Sequence, residues 1–253
     1  MAAGPRKRPG VFVSGRDMQL ESDSSRSLAV VVGASGGIGA ALVDALREEG
    51  GWGQVMALGR GSDPPLDLTA ENTVLAAARA VASTGLPLRL FINASGILGR
   101  DGGIAEKSLQ QIDALAMQRV FAVNTVGPAL LLKHFLPLLP SEGRSVFACL
   151  SARVGSIGDN RLGGWYSYRA SKAALNQLIR TAAIELARTR RDAICVAIHP
   201  GTVDTRLSAP FARSRLEIQT PEGAARRLIE VLASLGNHHS GQFFDHRGLL
   251  VPW

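Results

Sequence analysis

The chain has 253 residues, 46% of them hydrophobic and only 5% aromatic, with a formal net charge of +7. That length suits one α/β domain with a large core, and the scarcity of aromatic residues beside abundant Ala, Gly and Leu argues against a β-sandwich. The arginines are scattered and not interleaved with aromatics, so the basic balance points away from a nucleic-acid groove and towards a phosphate-bearing small ligand.

Residues 1–27 are rich in Arg, Ser, Gly and Pro and lack periodicity, so a mobile N-terminal extension is expected ahead of a domain over 28–253. Asp17, Glu21 and Asp23 argue against an organelle presequence, and a start ahead of Met18 explains the segment equally well. From residue 28 strands and helices alternate. Strands are expected at 28–33, 54–59, 88–93, 145–150, 193–199 and 241–245. Helices are expected at 37–50, 70–85, 108–139 with a break near Pro137, 165–189 and 221–236, the last opening with Pro in its first turn. Apolar strands alternating with amphipathic helices predict a doubly wound parallel sheet, Rossmann-like and single-domain. Only "GSDPPL" separates Arg60 from Asp67, too little for a helix, so the fold is expected to be abbreviated after the second strand, with at most a stub of strand around Pro65–Leu68. No apolar run is read as membrane-spanning. Cys149 and Cys195 sit in apolar strands and read as small core residues of a reduced protein, for which a cytoplasmic location is expected.

Two local patterns carry chemistry. In "VVVGASGGIGAAL", Gly33, Gly37 and Gly39 join the first strand to the first helix. Glycines there let the backbone turn tightly and approach a ligand, and the helix-start amides then face an anion. Further on, Tyr168 has Lys172 one helical turn away, on the same face. An ammonium there favours the phenolate and lowers a pKa that is otherwise near 10, too high for efficient proton exchange. Tyr166 has Ala170 at the corresponding place and reads as a neighbour. The histidines do not converge with other ligands, so no metal site is expected.

The GxxxGxG spacing resembles that of the short-chain dehydrogenase/reductase family, and further motifs match in order. They are Asn93-Ala94-Ser95-Gly96 after a strand, Asn124 in "FAVNTVG", Ser151 after the strand expected at 145–150, Tyr168–Lys172 as YxxxK, and "HPGTVDT" over 199–205. The resemblance implies a nicotinamide cofactor held by Gly33, Ser35, Gly37, Ile38, Gly39, Asn93, Ala94, Ser95, Gly96, Pro200, Gly201, Val203 and Thr205. It also implies Asp67 and Leu68 near the adenine, and Lys172 on the nicotinamide ribose beside Tyr168. Where NAD-preferring relatives place a carboxylate, this chain has Gly59-Arg60, and Arg60 suits the 2′-phosphate of NADP(H). Tyr168 would be the general acid/base, Ser151 the donor to the substrate oxygen, and Asn124 a support for a proton-relaying water. Ser151 lies 17 positions before Tyr168, further than the family's common spacing, and Ser156, at 12 positions, is the rival serine. The long serine–tyrosine loop, the absent helix and the ending "FFDHRGLLVPW" resemble C-factor-like and sniffer-type carbonyl reductases. Residues 206–219 are a candidate lid, and Ile97, Leu98, Val154, Trp165 and Phe211 are candidates for an apolar pocket. The expected activity is NADP(H)-dependent interconversion of a small carbonyl compound and a secondary alcohol, in a homodimer or homotetramer paired through the 108–139 and 165–189 helices, with no nucleic-acid or membrane partner. The alternative is a non-catalytic dinucleotide-binding signalling protein.

Overall fold

The computed structural model describes residues 26–99, 105–208 and 218–253. Six strands form one parallel sheet: β1 (Leu28–Val32), β2 (Gln54–Leu58), β3 (Leu88–Asn93), β4 (Ser145–Leu150), β5 (Ala193–His199) and β8 (Phe243–Asp245), in the order β2-β1-β3-β4-β5-β8. Between them run helices α1 (Gly37–Glu49), α2 (Glu71–Ser83), α3 (Ala114–Phe121), α4 (Gly127–Phe135), α5 (Tyr166–Leu186) and α6 (Pro221–Ser234).

Successive strand residues point to opposite faces, and β1 shows the consequence. Leu28, Val30 and Val32 enter the core under α2, α4 and α5, whereas Ala29 and Val31 enter the core under α1 and α6. A sheet covered on both faces needs apolar residues at every position, which is why "LAVVV" is continuous. The order reverses between β1 and β3, and the crevice at the C-terminal ends of these strands is where such sheets bind ligands.

The abbreviation after β2 is present: β2 is the sheet edge, and among the described residues no helix lies between Arg60 and Asp67. The stub expected at Pro65–Leu68 is not a strand. Leu66 and Leu68 plug the core, while the Ser62 hydroxyl donates to the carbonyls of Gly59 and Pro64 and ties the short turn.

The long helical stretch begins at Ala114 rather than 108, because the Asp113 carboxylate accepts the Ala116 N–H as an N-terminal cap and only a short 3₁₀ turn precedes it. It then continues through a π-turn at Ala122–Val126 and α4 to a final 3₁₀ turn at Leu136–Leu138, which holds Pro137. Ala114–Leu138 is thus a 25-residue helix, and its most apolar 18-residue stretch has a mean hydropathy of 1.3, enough by length and composition to cross a membrane, although Gln118, Arg119, Asn124, Lys133 and His134 interrupt the apolar run. Part of that apolarity serves the sheet: Leu131, Leu132 and Phe135 are buried against it. A parallel pair of two-residue strands, β6 (Thr202–Val203) and β7 (Ile218–Gln219), was not anticipated. Most of the candidate lid, with Phe211, and nearly all of the N-terminal extension lie outside the described residues.

Candidate active site

The glycine turn and the segment after β3 are built against each other. Gly33 has φ +83°, and a Cβ there would stand 2.7 Å from Ser95 Oγ. Helix α1 starts at exposed Gly37 without a side-chain cap and without an acidic residue in its first turn, so no side chain satisfies its first amides. That is the arrangement an anion needs at a helix N-terminus. Ser35 is exposed at this turn, Ile38 packs on the α1/α6 core, and Gly39 is buried beneath. Thr205 meets the turn from the far side: a Cβ on Gly37 would lie 2.9 Å from Thr205 Cγ2. Pro200 and Gly201 lead into β6, which contains buried Val203.

The next layer fixes the "NASG" backbone. Asn93 Oδ1 accepts the Ser95 N–H at 3.0 Å, and the Ala94 N–H continues the sheet by donating to Val32 O at 2.8 Å. Asn124 lies fully buried in the π-turn, a feature frequent at functional sites. Its Oδ1 accepts the Ile97 N–H at 2.9 Å, and its Nδ2 donates to Ile97 O at 2.8 Å and to Ser171 Oγ at 3.1 Å. The Asn124 side chain thus braces the post-β3 segment against α5. Gly96 faces both Asn124 and Lys172: a Cβ there would be 3.5 Å from Asn124 Oδ1 and 3.5 Å from Lys172 Nζ.

Tyr168 and Lys172 are both buried on one face of α5. Lys172 Nζ donates to Leu150 O at 2.8 Å and sits 5.9 Å from the Tyr168 ring centroid. The sequence expectation that Lys172 acidifies Tyr168 does not hold here. Burial pushes the Tyr168 phenol above its ordinary value, and burial likewise pulls the Lys172 ammonium down to about 8. Desolvation disfavours both charged forms, and the ammonium is aimed at a carbonyl rather than at the phenol.

Ser151 is buried at the end of β4, and its hydroxyl donates to Asn176 Oδ1 at 2.6 Å. The residue that packs with Tyr168 is the next one, Ala152, in an apolar cluster with Leu98 and Ala105 flanked by Val154, Trp165 and Leu207. Leu98, Val154 and Trp165 thus gather around the tyrosine. The rival Ser156 is buried and accepts the Asp159 N–H at 3.1 Å within its own loop. Asn176 was missed, although its spacing from Tyr168 and Lys172 on the helix was a readable signal.

At the β2 edge, Arg60 is exposed. Asp67 Oδ1 accepts the Thr69 N–H at 2.8 Å and the Thr69 hydroxyl at 2.7 Å, forming the turn into α2. Those bonds hold its carboxyl below the ordinary value, with a smaller contribution from the nearby Arg60 charge. Leu68 packs under α4: a Cβ on Gly127 would stand 2.6 Å from Leu68 Cβ.

A reversed parallel sheet, an uncapped glycine turn at its switch point and a buried Tyr–Lys pair beside it define a Rossmann-type oxidoreductase. Residues 54–230 match the family model described as Enoyl-(Acyl carrier protein) reductase. The chain is 34% identical over 167 residues to C-signal of Myxococcus xanthus, covering 66% of this chain and 93% of that one. It is 32% identical over 237 residues to 1-hydroxy-2-glutathionyl-2-methyl-3-butene dehydrogenase of Rhodococcus sp. (strain AD45), covering 90% of this chain and 100% of that one. Among solved structures it is similar to the NADPH-bound carbonyl reductase from chicken fatty liver, at 30% identity and TM-score 0.76, covering 90% of this chain and 99% of that one. This chain belongs to the short-chain dehydrogenase/reductase family of oxidoreductases.

Proposed function

We propose that the protein is an NADP(H)-dependent reductase that interconverts an apolar carbonyl compound and its secondary alcohol, with Tyr168 as general acid and base. The observation that carries this reading is the placement of Tyr168 and Lys172 together, buried on α5 beside the switch-point crevice, with an apolar cluster around the phenol ring. The residues present fit a dinucleotide. The exposed, uncapped start of α1 suits a pyrophosphate, and exposed Arg60 suits a 2′-phosphate. When bound, the nicotinamide supplies or accepts the hydride.

The chain's own residues handle position and protons. Tyr168 delivers its hydroxyl proton to the substrate oxygen as that oxygen becomes anionic, and recovers it in the reverse direction. Lys172 Nζ lies near Gly96 and donates to Leu150 O, and would supply the donor that holds the nicotinamide ribose. Ser151 would turn from Asn176 to hold the substrate oxygen. Leu98, Ala152, Val154, Trp165 and Leu207 exclude water and favour an apolar substituent. The similarity to the NADPH-bound carbonyl reductase supports the cofactor choice. Exposed Leu115, Val126 and Ile184 on the long helix and α5 support pairing of two copies, which light scattering would test.

The test is a panel of aldehydes and ketones with NADPH, run on the natural chain and on Tyr168→Phe, together with NADPH and NADH titrations by nicotinamide fluorescence. Turnover lost in Tyr168→Phe and tighter NADPH binding are expected. Tight NADPH binding without reduction of any carbonyl would favour the second reading, a non-catalytic dinucleotide sensor, which the similarity to C-signal motivates.

A further inference from the structure

We propose that Glu106 is a positioning residue for Tyr168, acting across space through the first turn of α5; this rests on the catalytic reading of Tyr168 above. The loop leading into α5 is left-handed at three consecutive residues: Gly163 (φ 64°), Gly164 (φ 65°) and Trp165 (φ 56°). The two glycines adopt that conformation freely. Trp165 does not, and a large side chain held at positive φ marks a place where surrounding structure imposes the backbone. Trp165 is also the residue that precedes the helix, and its side chain makes no capping bond, so the first amides of α5 need acceptors from elsewhere.

Glu106, in the segment between β3 and α3, supplies them. Its backbone carbonyl accepts the Trp165 N–H at 2.5 Å, and its carboxylate accepts the Ser167 N–H at 3.3 Å and the Ser167 hydroxyl. Both Glu106 and Ser167 are buried. A carboxylate at the positive end of a helix is the stabilising sign, and it replaces the missing local cap. The opposite side of the turn is held by Arg169, whose guanidinium donates to the carbonyls of Gly164 at 2.9 Å, Gly163 at 3.0 Å and Val154 at 3.2 Å.

The clamp closes on the tyrosine. Tyr168 follows Ser167 directly, the Trp165 indole meets its ring edge-on at 6.2 Å and 69°, and Ala105, next to Glu106, packs in the same apolar cluster. Glu106 therefore sets the register of the first helical turn, and with it the direction of the phenol and of the indole wall. The glycine turn and Arg60 belong to other elements, and Lys172 lies a turn further along α5, held separately to Leu150 O, so nucleotide affinity should depend little on Glu106.

The test uses the full chain with Glu106→Ala, Glu106→Gln, Ser167→Ala and the Glu106→Ala/Ser167→Ala pair. Three quantities are read: kcat and KM on a carbonyl that the natural chain reduces, NADPH Kd, and hydrogen exchange of amides 165–169. Glu106→Ala should lower kcat by about 100-fold, the scale of a misplaced catalytic group, with NADPH Kd little changed and faster exchange at 165–169. Glu106→Gln keeps an acceptor but gives up the charge, and should fall between. The double variant should be no worse than Glu106→Ala alone. A folded Glu106→Ala with natural kcat, or additive losses in the pair, overturns the proposal. Should Glu106→Ala fail to fold, a Ser167→Ala variant with natural kcat and natural exchange overturns it instead. If the natural chain reduces no carbonyl, the functional reading fails, and exchange at 165–169 still decides whether Glu106 holds the turn.

Discussion

The two walls of the crevice are made differently. The wall formed by β1, the glycine turn and the post-β3 segment is main chain packed on main chain: a Cβ at Gly33 would stand 2.9 Å from Ser95 N, and one at Gly39 2.1 Å from Gly33 O. The wall formed by the β4–α5 loop and the start of α5 is held by side chains, namely Glu106, Arg169 and the Ser151–Asn176 pair. A backbone-built wall has no compliance, because a clash there must move the chain itself. A wall braced by side chains can lose one brace and relax. The first should therefore fail completely on a small change and the second by degrees.

The sharpest break should come from Gly39→Ala. Its Cβ would fall 2.1 Å from Gly33 O, main chain with nowhere to go. We expect loss of NADPH binding and destabilisation of about 3 kcal/mol or more, read by fluorescence titration and thermal unfolding. On the other wall, Tyr168→Phe should leave the fold intact and lower kcat by about 10²- to 10⁴-fold. Arg60→Glu, at the exposed rim, should raise NADPH Kd by about 10- to 100-fold, the range of a lost charge-assisted bond, while NADH binding changes little. Ser151→Ala should cost about 1 kcal/mol of stability, because Asn176 loses a buried donor, and should lower kcat by about tenfold. Lost stability with unchanged kcat would assign Ser151 to the support of Asn176 alone.

The mildest effect is a pH dependence. Lys172 titrates at about 8 in the folded chain, below its ordinary value of 10.5, because burial disfavours the ammonium. Below pH 8 both states are protonated and the full cost of burying the charge is present. As pH rises above 8 the folded state releases its proton before the unfolded state does, so stability increases. Tyr168 works in the opposite sense: burial holds its folded value above the ordinary 10.0, so above about pH 10 the unfolded phenol ionises first and stability falls. Denaturant melts of the natural chain should therefore gain stability between about pH 8 and 10, and Lys172→Met should flatten that rise.

Several features were legible in the chain because they are local. Strands β3, β4 and β5 were readable to the residue, since a strand buried on both faces leaves a continuous apolar run. The "GSDPPL" gap was readable as an abbreviated unit because a helix needs more residues than that. Tyr168, Lys172 and the glycine spacing follow from helical period and turn chemistry. Even a stub of strand at Pro65–Leu68 does not form, because the chain turns back at Ser62 and sends Leu66 and Leu68 into the core instead of pairing with the free edge of β2. The start of the long helix was placed six residues early, since the Asp113 cap outweighs weak periodicity ahead of it.

Sequence by itself therefore determined the sheet, its switch point and the identity of the Tyr–Lys pair, because apolar runs, glycine turns and one-turn spacings are short-range properties. Only the tertiary structure decided where those groups point. It turned Lys172 towards Leu150 O and Ser151 towards Asn176, set Ala152 against the phenol, and brought Glu106 to a helix that begins 60 residues later. Hydrogen bonds between distant segments and the burial of charge arise only when the chain is assembled, so no period or spacing encodes them.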